Sequence, residues 1–160
     1  MQTSNILENV IVGVAKEYRS YMGGFYKIII SAEQSGGSFA LLDMTLPRGV
    51  EPPRHVHTRE DESFYLLEGE ISFHIGEKEI LAQAGQAVFA PRLVEHHFNI
   101  KTETARFLTF ISPGNFASYF QEFSVPAENL AVVPPQGPPP VEFLQYMTAR
   151  LATEFGVQFI

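Results

Sequence analysis

The sequence predicts an all-β domain, a sandwich or barrel, that ends in helices. Three observations carry that reading. Short apolar or alternating runs recur from Tyr26 to Ile111, bounded by turn signals such as Ser35-Gly36-Gly37, Gly76-Glu77 and Ala84-Gly85-Gln86. Of the 160 residues 45% are apolar and 18% charged, the composition of a chain that buries a core rather than one that stays disordered. After Ser112 strict alternation gives way to helical spacing. One domain is expected at this length, with residues 1–112 forming the barrel and 113–160 a helical tail joined through a proline-rich linker.

Taken in order, Ile6–Val14 (ILENVIVGV) is a short apolar strand that belongs to the barrel or pairs across a dimer. Tyr26–Ser31 is isoleucine-rich and strand-like, and Ser38–Thr45 is a half-buried strand interrupted only by Asp43. A loop rich in proline and glycine, Pro47–Pro53, delivers the chain to His55. Glu62–Leu67 alternates, with Glu62, Phe64 and Leu66 on one face and Ser63, Tyr65 and Leu67 on the other. Glu68-Gly69 reads as a tight hairpin turn into Glu70–Ile75. Lys78–Leu81, Ala87–Ala90, Glu95–Ile100 and Ala105–Ile111 complete the strands. In the tail, Asn115–Phe123 places Phe116, Tyr119, Phe120 and Phe123 at helical spacing, a stripe that packs on the barrel. Val133–Pro140 runs extended, and Val141–Phe155 is an amphipathic helix with Leu144, Met147, Leu151 and Phe155 in its stripe and Gly156 as its C-cap. The tail is expected to cover a barrel face or a neighbouring subunit.

Charge and composition exclude several classes. A formal net charge of −7 argues against a nucleic-acid partner, which basic patches recruit. Without cysteine there is neither a disulfide nor a thiolate ligand. The start lacks a basic n-region, and no apolar run approaches the ~20 residues of a membrane span, so a cytoplasmic protein without a membrane partner is expected.

The chemistry concentrates in two stretches. His55 and His57 are two apart, so an extended strand aims both imidazoles at one point. Glu62 has the opposite parity to His57, which demands a bend or bulge at Thr58–Asp61 to bring it to the same place. His96, in Gly85–Asn99, offers a fourth ligand. Three neutral imidazoles and a carboxylate suit one divalent first-row metal: Fe, Mn, Ni, Cu or Zn. His74 and His97 have outward parity and read as surface residues. Arg59, Glu60 and Asp61 read as a solvated turn, one member of which can hold a ligand imidazole by its second nitrogen. Arg54 and Arg92 read as surface arginines and Tyr65 as a packing residue.

Gly49, His55, His57, Glu62 and Gly69 stand at the spacing G-x5-H-x-H-x4-E-x6-G, and in this the chain resembles the cupin superfamily. Gly85, Pro91 and His96 follow its second motif, G-x5-P-x-G-x2-H-x3-N, with Leu93 replacing the inner glycine and Asn99 one residue early. The resemblance implies a double-stranded β-helix, the closed jelly-roll barrel. The helical tail behind a proline-rich linker is similar to small bacterial cupins of the quercetin-dioxygenase-like group. What this implies is a homodimeric, metal-dependent dioxygenase that takes a small organic substrate and dioxygen.

Four protein ligands in an octahedral field leave two positions open, unlike a closed structural zinc site. Phe64, Leu66, Ile71, Phe73, Phe98 and Phe107 are the expected apolar lining, suited to an aromatic or enolisable substrate, with Glu62 doubling as ligand and catalytic proton acceptor. Two other classes fit the same ligands: a non-catalytic metal- or ligand-sensing module, and a metal-dependent isomerase or lyase. Fold alone does not separate them.

Overall fold

The computed structural model describes residues 18–160. The predicted strand Ile6–Val14 lies outside them. Twelve strands form two antiparallel sheets among the described residues. In chain order they are β1 (Arg19–Tyr21), β2 (Gly24–Ile30), β3 (Ala40–Pro47), β4 (His55–His57), β5 (Asp61–Glu68) and β6 (Glu70–Ile75). There follow β7 (Lys78–Gln83), β8 (Ala87–Ala90), β9 (His96–Ile100), β10 (Thr104–Ser112), β11 (Val125–Pro126) and β12 (Val157–Phe159). One sheet has the order β11-β1-β2-β3-β10-β5-β8 and the other β12-β4-β9-β6-β7.

From β3 to β10 the chain passes back and forth between the sheets, β6 and β7 being the one consecutive pair that stays in a single sheet. That winding is a double-stranded β-helix. It corrects two local readings. Glu68-Gly69 does not close a hairpin, because β5 pairs with β10 and β8 while β6 pairs with β7 and β9. The turn is a corner. Gly69 has φ 86°, and a Cβ there would lie 2.7 Å from the Thr104 carbonyl oxygen, so the corner needs glycine for both conformation and space. A Glu-Gly pair signals a reversal in either case, and only the partner strands tell the two apart. Likewise Thr58–Asp61 is no bulge within one strand. Its first three residues carry the chain from one sheet to the other.

Alternation decides the core. Glu62, Phe64 and Leu66 of β5 face inward, as do Phe98 and Ile100 of β9 and Phe107 of β10. Phe64, Phe73, Phe98 and Phe107 form a cluster with ring centroids 5.0–6.2 Å apart. Burying such side chains stabilises the fold by about 1.5–3 kcal/mol each. Tyr65, on the outward face, is 43% exposed and does not pack into the core.

The tail is part of the barrel. After a 3-10 turn at Gly114–Phe116, α1 (Ala117–Glu122) seats Tyr119 and Phe120 in the core. The proline tract leads to α2 (Val141–Thr153), whose Arg150 holds Glu122 at 2.7 and 3.0 Å. The chain then turns at Gly156 (φ 66°) into β12, which pairs with β4. The tail therefore covers the mouth of its own barrel. Alternation over three residues is too short a signal to have shown β12. No helix among the described residues is long and apolar enough to cross a membrane.

Candidate metal centre

The three histidines come together in one sheet. β4 lies between β12 and β9, with His55 directly opposite His96 on β9 and His57 opposite Val157 on β12. Glu62 comes from the other sheet, on β5, opposite Ala90 and Ile111. Its opposite parity is thereby accounted for: it approaches from across the barrel rather than along the same strand. His55, His57, Glu62 and His96 are all buried, and each offers one ligand atom within 4.8 Å of the others.

Each imidazole is held by its outer nitrogen. His55 Nδ1 lies 2.7 Å from the Pro53 carbonyl, His96 Nδ1 3.1 Å from the Val94 carbonyl, and His57 Nδ1 3.3 Å from Glu60 Oε2. Carbonyl and carboxylate oxygens only accept, so every Nδ1 donates, and in the neutral ring every Nε2 carries a lone pair. Those lone pairs meet a carboxylate: Glu62 Oε2 is 3.1 Å from His96 Nε2 and 3.4 Å from His57 Nε2. Lone pairs facing each other at that range are stabilised by a cation, either a proton on the imidazole or a metal ion. A divalent metal does so at all four groups, so the donor set fits one. Glu60 is the member of the predicted turn that holds an imidazole of the cluster by its second nitrogen, as one member was expected to; it is 4% exposed rather than solvated.

Electrostatics agree with a site built for positive charge. Burial opposes the Glu62 carboxylate, but His57, His96 and His55 outweigh it and hold the group down at about 2. Burial pulls His57 down while Glu62 and Glu60 push harder the other way, and its pKa ends above the ordinary value. His55 is lowered to about 4, by burial and then by the neighbouring His96.

The four groups sit in the wall of a cavity of about 590 Å³, a size common for small-molecule sites. Phe64, Phe98 and Phe107 line it as expected, whereas Leu66, Ile71 and Phe73 belong to the core and do not line it. The tail supplies much of the remaining wall, including Phe116, Pro138, Leu144, Met147 and Leu151. Phe116 presents its ring edge-on to His57, with centroids 4.6 Å apart at 90°. Sequence reasoning placed Phe116 on a packing stripe and missed its contact with a ligand. Tyr21 and Tyr119 also line the cavity and were missed, because nothing in their local spacing points to a site.

The remaining candidates lie elsewhere. His74 and His97 stack on each other, 4.4 Å apart and 1° from parallel, half-buried on the outward face of β6 and β9. Arg92 pairs with Asp61 at 2.9 Å, Arg54 with Glu95 at 3.2 Å, and Arg59 donates to the Glu154 carbonyl. None of the three arginines is among the residues lining the cavity.

Residues 42–111 match the family model for the cupin domain. A curated relative, quercetin 2,3-dioxygenase of Bacillus subtilis (strain 168), is 23% identical over 103 residues, or 64% of this chain. The match spans 31% of that relative's length. Among solved structures, a predicted oxalate decarboxylase from Thermotoga maritima superposes with a TM-score of 0.55 at 23% identity, over 64% of this chain and 97% of that one. An RmlC-like cupin from Shewanella frigidimarina gives 0.55 at 20% identity, over 66% and 91%. KdgF from Halomonas sp. gives 0.54 at 18%, over 61% and 86%. These three similarities bear on the fold alone.

Proposed function

We propose that this chain, whose residues 42–111 match the family model for the cupin domain, is a metal-dependent dioxygenase acting on an enolisable, mostly apolar small molecule. One observation supports this above the others: the His55–His57–Glu62–His96 cluster opens onto a cavity walled by aromatic and aliphatic side chains. The similarity to quercetin 2,3-dioxygenase favours a flavonol or related diketone over other enols.

A divalent transition metal held by these four residues would supply Lewis acidity and, if its oxidation state can change, redox chemistry for the reaction with dioxygen. The protein does the rest. The apolar wall binds an aromatic skeleton by burial and excludes water. The outer hydrogen bonds of Pro53, Glu60 and Val94 hold the three imidazoles in register. Glu62 accepts the proton of the enol. It is the one carboxylate of the cluster and lies in the cavity wall, within reach of a proton on a bound enol.

The working unit is a homodimer. The outward face around Tyr65, Phe89 and Phe110 is 38–58% exposed at those rings, and an exposed aromatic sheet face of this kind favours association. Light scattering at micromolar concentration tests it, and a monomer there refutes it.

The decisive experiment for the activity is metal analysis of chelator-free protein, followed by oxygen uptake with flavonols, diketones and catechols after loading with Fe, Mn, Ni or Cu. Uptake with one class supports the dioxygenase. Metal binding with no uptake across the panel replaces it with a sensing or binding module.

A further inference from the structure

The cavity has a second polar feature apart from the four ligands. Tyr21 of β1 and Tyr119 of α1 both line it, and their hydroxyls are 3.0 Å apart. Two elements distant in sequence are needed to make this pair, and rings fix it from several sides. Tyr119 stacks on Phe116 (5.2 Å, 10°), and Tyr21 meets Phe120 edge-on at 5.4 Å. Burial raises the pKa of both phenols, so both keep their protons.

The proton count of the pair is uneven. Two hydroxyls hold two protons, and the bond between them uses one. The other has Met147 Sδ, 3.4 Å from the Tyr119 oxygen. A thioether is a weak acceptor. In the geometry with Tyr119 donating to sulfur, Tyr21 donates to Tyr119. The pair therefore presents one donor that an oxygen satisfies better than Met147 does, beside a cavity whose wall is otherwise largely carbon.

Its position relative to the ligands follows from the rings between them. Phe116 touches His57 edge-on at 4.6 Å and stacks on Tyr119 at 5.2 Å, so the tyrosine pair is one phenylalanine removed from the histidines. A molecule that reaches both carries an oxygen at each end, with at least a ring's width of apolar skeleton between them.

We propose that the Tyr21–Tyr119 pair is a specificity subsite, in which Tyr119 releases Met147 and donates a hydrogen bond to a substrate oxygen remote from the enol. The cavity thus selects an aromatic enol that carries a second oxygen on a distal ring. This rests on the reading of the cavity as the pocket of an aromatic enol, and the test separates the two.

The probes are quercetin and 3-hydroxyflavone. They share the 3-hydroxy-4-carbonyl enol and the ring skeleton, and differ in the 5-hydroxyl beside the carbonyl and in the distal 7-, 3′- and 4′-hydroxyls, all of which quercetin alone carries. The Tyr119→Phe comparison isolates the distal part. Equilibrium binding is measured by absorbance or fluorescence on metal-loaded protein without dioxygen, so that nothing turns over. Wild type is expected to bind quercetin about ten-fold more tightly than 3-hydroxyflavone, roughly the effect of one good hydrogen bond. Tyr119→Phe should lose most of that preference by weakening quercetin alone. Met147→Leu, which removes the competing acceptor, should keep or increase it. Equal weakening of both probes by Tyr119→Phe marks a packing role and overturns the subsite. So does a wild type that binds both probes equally well, while leaving the pocket reading intact. A wild type that binds neither overturns the flavonol pocket and the subsite together. Tyr21→Phe retains the Tyr119 donor and should keep more than half of the preference in free energy, so a larger loss there than in Tyr119→Phe would refute the assignment of donor.

Discussion

His57 stands directly across the sheet from Val157, so the strand that carries two ligands has its outer edge closed by the last strand of the same chain. The ladder is extended by Thr58, whose amide and hydroxyl both donate to the Gly156 carbonyl at 3.0 and 2.7 Å, and by the Ile160 amide on the Arg54 carbonyl at 3.1 Å. Phe159 adds its ring 6.1 Å from that of His55. The position of the histidine strand is thus set by residues about a hundred positions later in the chain. Deleting residues 154–160 removes these contacts and frees the edge of β4. With each lost hydrogen bond worth about 0.5–1.5 kcal/mol, metal affinity should fall at least ten-fold. Competition with a chelator, alongside circular dichroism to establish that the barrel persists, measures it. Unchanged affinity in a folded truncation would mean that β9 alone positions β4.

His57→Ala should lose most of the metal while the barrel still folds. The core around Phe64, Phe73, Phe98 and Phe107 does not depend on one ligand. Metal content and circular dichroism of the variant decide it, and an unfolded variant would make the metal a structural element.

Glu60 acts one step further out. Its carboxylate holds His57 Nδ1 from a buried position, and partners of this kind typically contribute about 10–100-fold to metal affinity. Glu60→Ala should weaken affinity within that range. Glu60→Gln keeps an oxygen to accept from Nδ1 and should weaken it less. The order of the two variants in a chelator competition distinguishes orientation by a hydrogen bond from a loss of volume.

The barrel was legible because its strands alternate and its turns carry glycine, and the clustering of His55 with His57 was legible because they share strand parity. What escaped the sequence was long-range. Glu62 reaches the site from the opposite sheet, and parity cannot show which sheet a residue belongs to. β12 is only three residues long, yet it completes the histidine strand's pairing. One member of the charged turn Arg59–Asp61 was expected to hold an imidazole, but which one was not legible because all three are charged. In the fold, Arg59 and Asp61 find partners on Glu154 and Arg92, while Glu60 alone points inward to His57.

Metal loading should depend on pH with a definite sign. Binding requires neutral imidazoles, and His57 holds a proton above the ordinary histidine range. As pH falls through the His57 pKa, protons displace the metal there first. His55 stays neutral down to about 4 and Glu62 stays ionised down to about 2, so neither initiates release. The metal-free protein follows linkage. The raised His57 adds stability below its unfolded pKa that is lost as pH rises through the folded one. The depressed Glu62 adds stability above the ordinary carboxylate value that is lost as pH falls toward about 2. The depressed His55 works against His57, costing stability as pH falls from the ordinary value toward about 4. The increase in Tm caused by metal should therefore grow between pH 5 and pH 8. An increment that shrinks over that interval would show that the imidazoles are not the ligands.

Glu62 is the residue on which the proposed activity turns. Its carboxylate faces His57 and His96 from across the barrel, in the wall of the cavity where an enol would bind. A proton acceptor must lie within hydrogen-bond reach of the proton it takes, and among the cluster it is the one carboxylate. Glu62→Gln keeps an oxygen that can approach the metal but has no basic carboxylate. Part of the metal should remain, the folded barrel should be unchanged, and oxygen uptake with the active enol should fall by about 10²–10⁴-fold, the usual size of a general-base contribution. Comparing the rate per bound metal, rather than per protein, separates the loss of the base from the loss of the ligand. If the rate per metal is unchanged, Glu62 is a ligand only, and the enol's proton leaves by another route.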